Sequence, residues 1–371
     1  MHSKVPKSPL HEREPIGGRQ SNPGNSILNS NKKIYIATRG SALALAQANM
    51  VLARCRAAVP QMVFELKIIK TTGDKLQTAS LAQEGTNLPK GLFTKELEVA
   101  LLNDQADLAV HSLKDLPTEL PEGLELGAVG KRADVRDVLI YRDADYFTDA
   151  MAGTTASEGA PGPSARRGFK AGLKVTDLPS GAVVATSSTR RKAQLAIHNP
   201  GLKLPDIRGN VLTRMEKLAQ RPEMDATILA LAGISRLNYS VSPDGRLLGE
   251  GVPKGLLAAI LDVETMLPCV GQGAIGIEVR KQDERIAAIC ECLNHPETLQ
   301  CVIAERSFLA AMGGGCQSPV AAYAEVVGDS IRMRALSFAA GPMRRAEGQR
   351  PIKEAVELGV ELATRLKQGP V

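Results

Sequence analysis

The chain has 371 residues, 43% of them hydrophobic, which is enough to bury the cores of two or three domains. Lysine and arginine number 46 against 40 aspartate and glutamate, an excess that favours anionic partners. Aromatic residues make up only 3% and tryptophan is absent, so platforms for stacking bases are scarce, and small phosphates or carboxylates rather than nucleic acid are the expected anions. No run of about 18 apolar residues marks a membrane span. The segment 1–32 lacks the apolar core of a secretory signal, and Glu12, Glu14 and scattered prolines argue against an amphipathic transit helix. It reads as a disordered polar leader on a cytoplasmic protein. The six cysteines have no paired spacing, Cys290 and Cys292 would point to different sides of a helix, and no histidine forms H-E-x-x-H, so neither a disulfide framework nor a metal site is expected.

In chain order, IYIAT (34–38) reads as a buried strand and Ser41 to Ala58 as a helix. VFELKIIK (63–70) is a second strand, TKELEVALLND (94–104) a helix, and DLAVH (107–111) a strand ending in the polar turn SLKDLP. Residues 143–173, rich in Gly, Ala, Ser and Pro, read as an exposed insertion. A second alternation follows, with strand AVVAT (182–186), a helix from Ser188, the turn IRGN (207–210), a helix through Leu218 and strand DATILA (225–230). Such alternation predicts α/β units with largely parallel sheets, here two lobes with ligands at the carboxyl ends of the strands. The last part carries a helix from Thr298 to Met312, the glycine turn GGGC (313–316), strands at 319–326 and 330–338, and a closing helix from Pro351 to Leu366, a small α+β domain.

Four arginine-bearing turns, TRGS (38–41), SSTRR (187–191), IRGNVLTR (207–214) and GISR (233–236), fall at strand-to-helix junctions or near helix ends. There, free N–H groups and the helix dipole favour an anion, and the guanidinium fork matches carboxylate or phosphate. A single surface arginine is usually just solvated, but the repetition favours an anion-lined cleft. In HSLKD (111–115), Ser112, Lys114 and Asp115 stand at a strand end, where Asp115 either meets a substrate N–H or caps a turn amide. GQGAIG (271–276) matches G-x-G-x-x-G, but a strand-like segment follows it instead of a helix. A crossing between domains explains those glycines better than a nucleotide site does. Cys316, preceded by three glycines, reads as an accessible thiol suited to covalent use.

Taken in order, IATRGSALALAQA, KGLFTKELE, DLAVHSLKDLP, ATSSTRRKAQL, IRGNVLTR, DATILALAGISRL, LPCVGQGAIGIE and GGCQSPVA make a chain that resembles the hydroxymethylbilane synthase (porphobilinogen deaminase) family over nearly everything after residue 32. The resemblance implies two lobes like those of type II periplasmic binding proteins plus a small C-terminal α+β domain. The boundaries it implies are 33–132 with 272–293 for domain one, 137–267 for domain two and 294–371 for domain three. It implies a dipyrromethane cofactor held by a thioether to Cys316. Each porphobilinogen loses ammonia to give an azafulvene, which the growing pyrrole chain attacks, and after four additions hydroxymethylbilane is released by hydrolysis. Asp115 is then the catalytic carboxylate, and Arg39, Arg190, Arg191, Arg208, Arg214 and Arg236 hold the acetate and propionate groups. Ser41, Lys90, Ser112, Lys114, Thr186 and Ser188 assist. The family likeness further implies a monomer whose product passes to uroporphyrinogen-III synthase. Gly313 stands where members often have Glu, Ala46 where Trp is common, and the 143–173 insertion is longer than usual. The rival reading is a non-catalytic anion-binding protein built on the same two lobes, which leaves the GGGC loop without a purpose.

Overall fold

The computed structural model describes residues 33–74, 91–146, 167–315, 318–339 and 341–368. Strand β1 (Ile34–Arg39) runs into helix α1 (Ala42–Ala58), whose cap Ser41 accepts from the Ala44 amide at 3.3 Å. Ala48, Val51, Leu52 and Cys55, spaced to share one helical face, pack on Ile34 and Ile36 of β1, Phe64 of β2 (Phe64–Ile69) and Val110 of β3 (Leu108–Ser112). Helix α2 (Lys95–Leu102) covers the other face through Leu97, Ala100 and Leu101. These elements follow the sequence expectation closely. Strands β4 (Leu124–Val129) and β5 (Asp137–Arg142) were not read from the sequence. All six residues of β5 are buried, so it lacks the one-sided alternation by which a strand is recognised.

The second lobe holds β6 (Val184–Ala185), α3 (Thr189–His198), α4 (Val211–Gln220), β7 (Ala226–Ala230), the short helix α5 (Leu231–Arg236), a small ribbon of β8 (Ser240–Val241) with β9 (Leu247–Leu248), and β10 (Leu256–Leu261). Strand β11 (Ile275–Arg280) and helix α6 (Glu284–Leu293) return to the first lobe. The C-terminal domain comprises α7 (Pro296–Ala311), the antiparallel meander β12 (Val320–Val327), β13 (Ser330–Ser337) and β14 (Arg344–Pro351), and α8 (Ala355–Gln368). Its core joins Cys301, Ala304 and Phe308 of α7 to Leu358, Leu362 and Leu366 of α8 and to Ala322, Ala324 and Met333 of the sheet. The expected closing helix begins at Ala355 rather than Pro351, because Arg344–Pro351 forms an edge strand whose alternating charged residues hide its pairing with β13.

The first sheet has the order β2-β1-β3-β11-β4, the second β10-β5-β7-β6. In the first, β1, β2 and β3 are parallel and β11 is antiparallel to both its neighbours; in the second, β5 is antiparallel to both of its own. Each lobe therefore contains one reversed strand, delivered by a crossing from the other lobe. This is the type II periplasmic-binding-protein pattern, two α/β lobes with a small α+β domain after them. The crossings are 130–136 going out and 262–274 coming back, and GQGAIG (271–276) ends the second and enters β11. There Gly271 (φ +71°) passes so close to the turn after β3 that a Cβ would lie 3.1 Å from the Lys114 amide nitrogen. A Cβ on Gly273 (φ +83°) would lie 2.6 Å from the Ala133 carbonyl oxygen. Gly273→Ala is expected to lower the unfolding free energy by roughly 1–3 kcal/mol, since it combines a left-handed backbone with an overlap; a urea titration with an unchanged midpoint would contradict this.

Candidate functional site

The turn after β3 is a single helical turn, Leu113–Asp115, that leaves Asp115 exposed and Lys114 half-buried. Ser112 pairs with Gln47 of α1 at 2.8 Å, which fixes the end of the strand. Asp115 lies within electrostatic reach of the second lobe. Its negative charge acts on Arg214, whose guanidinium is pushed down to about 10, first by burial and then by the positive charge of Arg191, with Asp115 opposing both. At neutral pH Arg214 is still fully charged, and an incoming anion would offset the burial. Its Nε donates to the Gly209 carbonyl at 2.9 Å, which holds it in the first turn of α4, where Asn210 caps the Thr213 amide at 2.8 Å. Arg208 is exposed just before that cap. Arg236 is likewise pushed down to about 10 by burial, and its Nη2 donates to the Gly273 carbonyl on the return crossing at 2.7 Å.

Arg190 and Arg191 depart from the expected arrangement. They do not line an open cleft with free forks; they are buried at 3% and 6% exposure, and both grip Asp137, the fully buried first residue of β5. Arg190 donates to Asp137 Oδ2 at 2.7 Å and to the Leu267 carbonyl at 2.6 Å, and Arg191 to Asp137 Oδ1 at 2.8 Å and to the Ile228 carbonyl at 2.8 Å. Gln272 adds a third donor to Asp137 at 2.9 Å. Burial alone would raise the Asp137 carboxyl, but the two guanidinium groups override it and hold it well below the usual carboxylate range. A buried acid was invisible in KRADVRDV, where Asp137 reads as one more polar residue before an apolar strand.

Other expected residues have local duties. Ser41 and Ser188 spend their hydroxyls as helix caps, Ser188 accepting from the Arg191 amide at 3.4 Å, and the buried Thr186 accepts from the Ser188 amide at 3.3 Å. Arg39 is engaged by Asp74 at 3.2 Å and stacks over Phe93 at 4.2 Å, two partners that sequence reading did not single out. Arg236 ends its helix instead of starting one, so the dipole there repels an anion and the expected dipole argument fails at that position. Lys90 and Cys316 lie outside the described residues, as does the 147–166 part of the insertion.

The chain matches two family models, over residues 34–288 the dipyrromethane cofactor binding domain of porphobilinogen deaminase, and over 299–368 that enzyme's C-terminal domain. The chain belongs to the porphobilinogen deaminase family. It is 39% identical over 336 residues to the porphobilinogen deaminase of Desulforamulus reducens, covering 90% of this chain and 94% of that one. With the deaminase of Moorella thermoacetica it shares 40% over 336 residues, covering 90% and 93%. With the family come its activity, hydroxymethylbilane synthesis from porphobilinogen, a transferase step of tetrapyrrole biosynthesis, and its dipyrromethane cofactor. The donors present suit such a group. The Nε atoms of Arg190, Arg191 and Arg236 are buried without a hydrogen-bond partner among the described residues, and a ligand bearing carboxylates is what such donors lack. No helix among the described residues is long and apolar enough to cross a membrane.

Replacing Asp137 by Asn is expected to cost about 3–5 kcal/mol, because it leaves two buried guanidinium groups without a counter-charge. The depressed carboxyl contributes stability above its unfolded value near pH 4 that is lost as pH falls further. Urea titrations of the parent and of Asp137→Asn at pH 7, and again about one to two units below the free carboxyl value, check this: the gap between them is expected to narrow at the lower pH, and a variant as stable as the parent at pH 7 would refute it.

Proposed function

We propose that this chain makes hydroxymethylbilane with Asp115 as the catalytic carboxylate and Cys316 as the attachment point of the dipyrromethane cofactor. The observation that carries the reading is that Arg214 of the second lobe lies within electrostatic reach of Asp115 of the first lobe, which opposes the effects of burial and of the neighbouring Arg191 charge on it. When bound, the cofactor supplies a carboxylate-bearing primer on which four porphobilinogen units are joined. Asp115 stabilises the positive charge that develops on the incoming pyrrole nitrogen as ammonia leaves, and it holds a proton at that nitrogen while the new bond forms. Lys114 and Arg208 present exposed or half-exposed cations to the acetate and propionate groups, and Arg214 and Arg236 meet them as buried cations. Arg190 and Arg191 make the floor of the site, offering their Nε atoms while Asp137 fixes their other ends. Arg39 binds substrate by exchanging Asp74 for a substrate carboxylate, and Ser41, Lys90, Ser112, Thr186 and Ser188 shape the surroundings.

The three larger sheets correspond in this reading to three domains, 33–132 with 272–293, 137–267 and 294–371, which bring the acid, the arginines and the cysteine from separate units. The enzyme works as a cytoplasmic monomer and passes its linear product to uroporphyrinogen-III synthase. A merely anion-binding protein of the same architecture is disfavoured by kinship with deaminases over 90% of the chain.

Asp115→Ala is expected to leave the urea midpoint unchanged, since the side chain is exposed, and to cut turnover by about 10²–10⁴-fold. Turnover near that of the parent would move the catalytic role elsewhere. Intact mass with peptide mapping of active protein is expected to show a dipyrrole on the peptide containing Cys316, and an unmodified thiol in an active preparation would refute the attachment.

A further inference from the structure

Helix α7 carries two buried charged residues side by side that reach in different directions. Glu305, fully buried, accepts from Arg132 Nη1 at 2.6 Å and Nη2 at 3.0 Å on the outgoing crossing, from the Gly271 amide at 2.8 Å on the return crossing, and from the Ala324 amide at 2.9 Å in β12. Arg306, 8% exposed, donates to the carbonyls of Leu116 at 3.1 Å, Pro117 at 2.6 Å and Thr118 at 3.3 Å. Those three residues directly follow Asp115. One helical turn before Arg306 on the same face of α7, Val302 packs with Leu113 and Leu116, and Leu299 joins that cluster. The turn bearing the acid thus rests on the C-terminal domain through an apolar footing and one guanidinium fork, while Ala274 on the return crossing accepts from the Leu113 amide at 3.1 Å on its other side.

We propose that Arg306 is a positioning residue for Asp115. Through the carbonyls of 116–118 it sets where the carboxylate stands. From Arg306 to the last residue of α7, Ala311, is about 7–8 Å of rigid helix, and the glycine turn to Cys316 begins there. The turn bearing the acid and the glycine turn 313–315 are therefore referred to one element. A lysine at 306 would keep the charge but, lacking the planar fork, could not span three carbonyls in a fixed orientation. The inference rests on the roles assigned above to Asp115 and Cys316.

The test compares the parent holoenzyme with Arg306→Met and Arg306→Lys, alone and combined with Asp115→Ala, using intact mass, urea titration and steady-state kinetics with porphobilinogen. Arg306→Met is expected to keep the dipyrrole mass and KM, to lose kcat by roughly ten- to a hundredfold through misplacement of the carboxylate, and to have part of that loss restored in Arg306→Lys. In the Asp115→Ala background the same substitution is expected to change kcat by less than about twofold, because a residue acting through the acid has nothing left to act on. A normal kcat in folded Arg306→Met, a loss confined to KM or to the urea midpoint, a missing adduct in the variant alone, or full additivity with Asp115→Ala would each overturn the proposal. If Arg306→Met does not fold, Arg306→Lys alone must show a lowered kcat at unchanged KM, and a parental kcat there overturns it. An unmodified parent, or an active Asp115→Ala, instead defeats the reading on which the proposal rests.

Discussion

The buried carboxylate of Asp137 ties together the parts of this molecule that its topology would otherwise leave independent. It opens β5, the reversed strand of the second lobe, and is held by Arg190 and Arg191 from α3 and by Gln272 from the return crossing. A charge taken wholly out of water is tolerable only when opposite charge and hydrogen bonds surround it. Here the requirement runs both ways, since the two arginines are nearly as buried as the acid and each has one end committed to it. The two crossings are thereby clamped to the second lobe, and Arg190 and Arg191 are held in place by the same carboxylate.

A second buried acid does the corresponding work for the C-terminal domain. Glu305 has four donors and no exposed surface, and three of those donors lie on the two crossings. The crossings are therefore not simple flexible straps. Glycines at 271 and 273 let them run against the turn of Asp115 and against each other, and the acids at 137 and 305 then lock them from opposite sides. Both crossings are thus held by hydrogen bonds to fully buried carboxylates.

The site that results separates its charges by role. Asp115 is exposed in the turn after β3, whereas Arg214 and Arg236 sit in surroundings that depress them toward 10. Arg39 is already paired with Asp74. The arginines read from the sequence as one class thus divide into buried ones paired with a buried acid, buried ones without a carboxylate partner, and exposed or half-buried ones, a difference of desolvation and partners that residue type does not encode.

The amino-acid sequence by itself determined the elements whose apolar faces are regular, such as β1 with α1, and the strand and turn that end in Asp115, because burial on one side leaves a periodic trace. It also determined the family, through motifs that follow one another in a fixed order. Tertiary structure alone decided what lies inside both lobes and between them. β5 was missed because it is buried on every side, and β14 because its charged residues dominate the pattern of an edge strand. Asp137, Glu305 and Arg306 were missed because their partners stand far along the chain, Asp137 and Arg190 being 53 residues apart and Arg306 and Leu116 190. Periodicity records which way a residue faces, and only the packed chain settles which distant charge it meets.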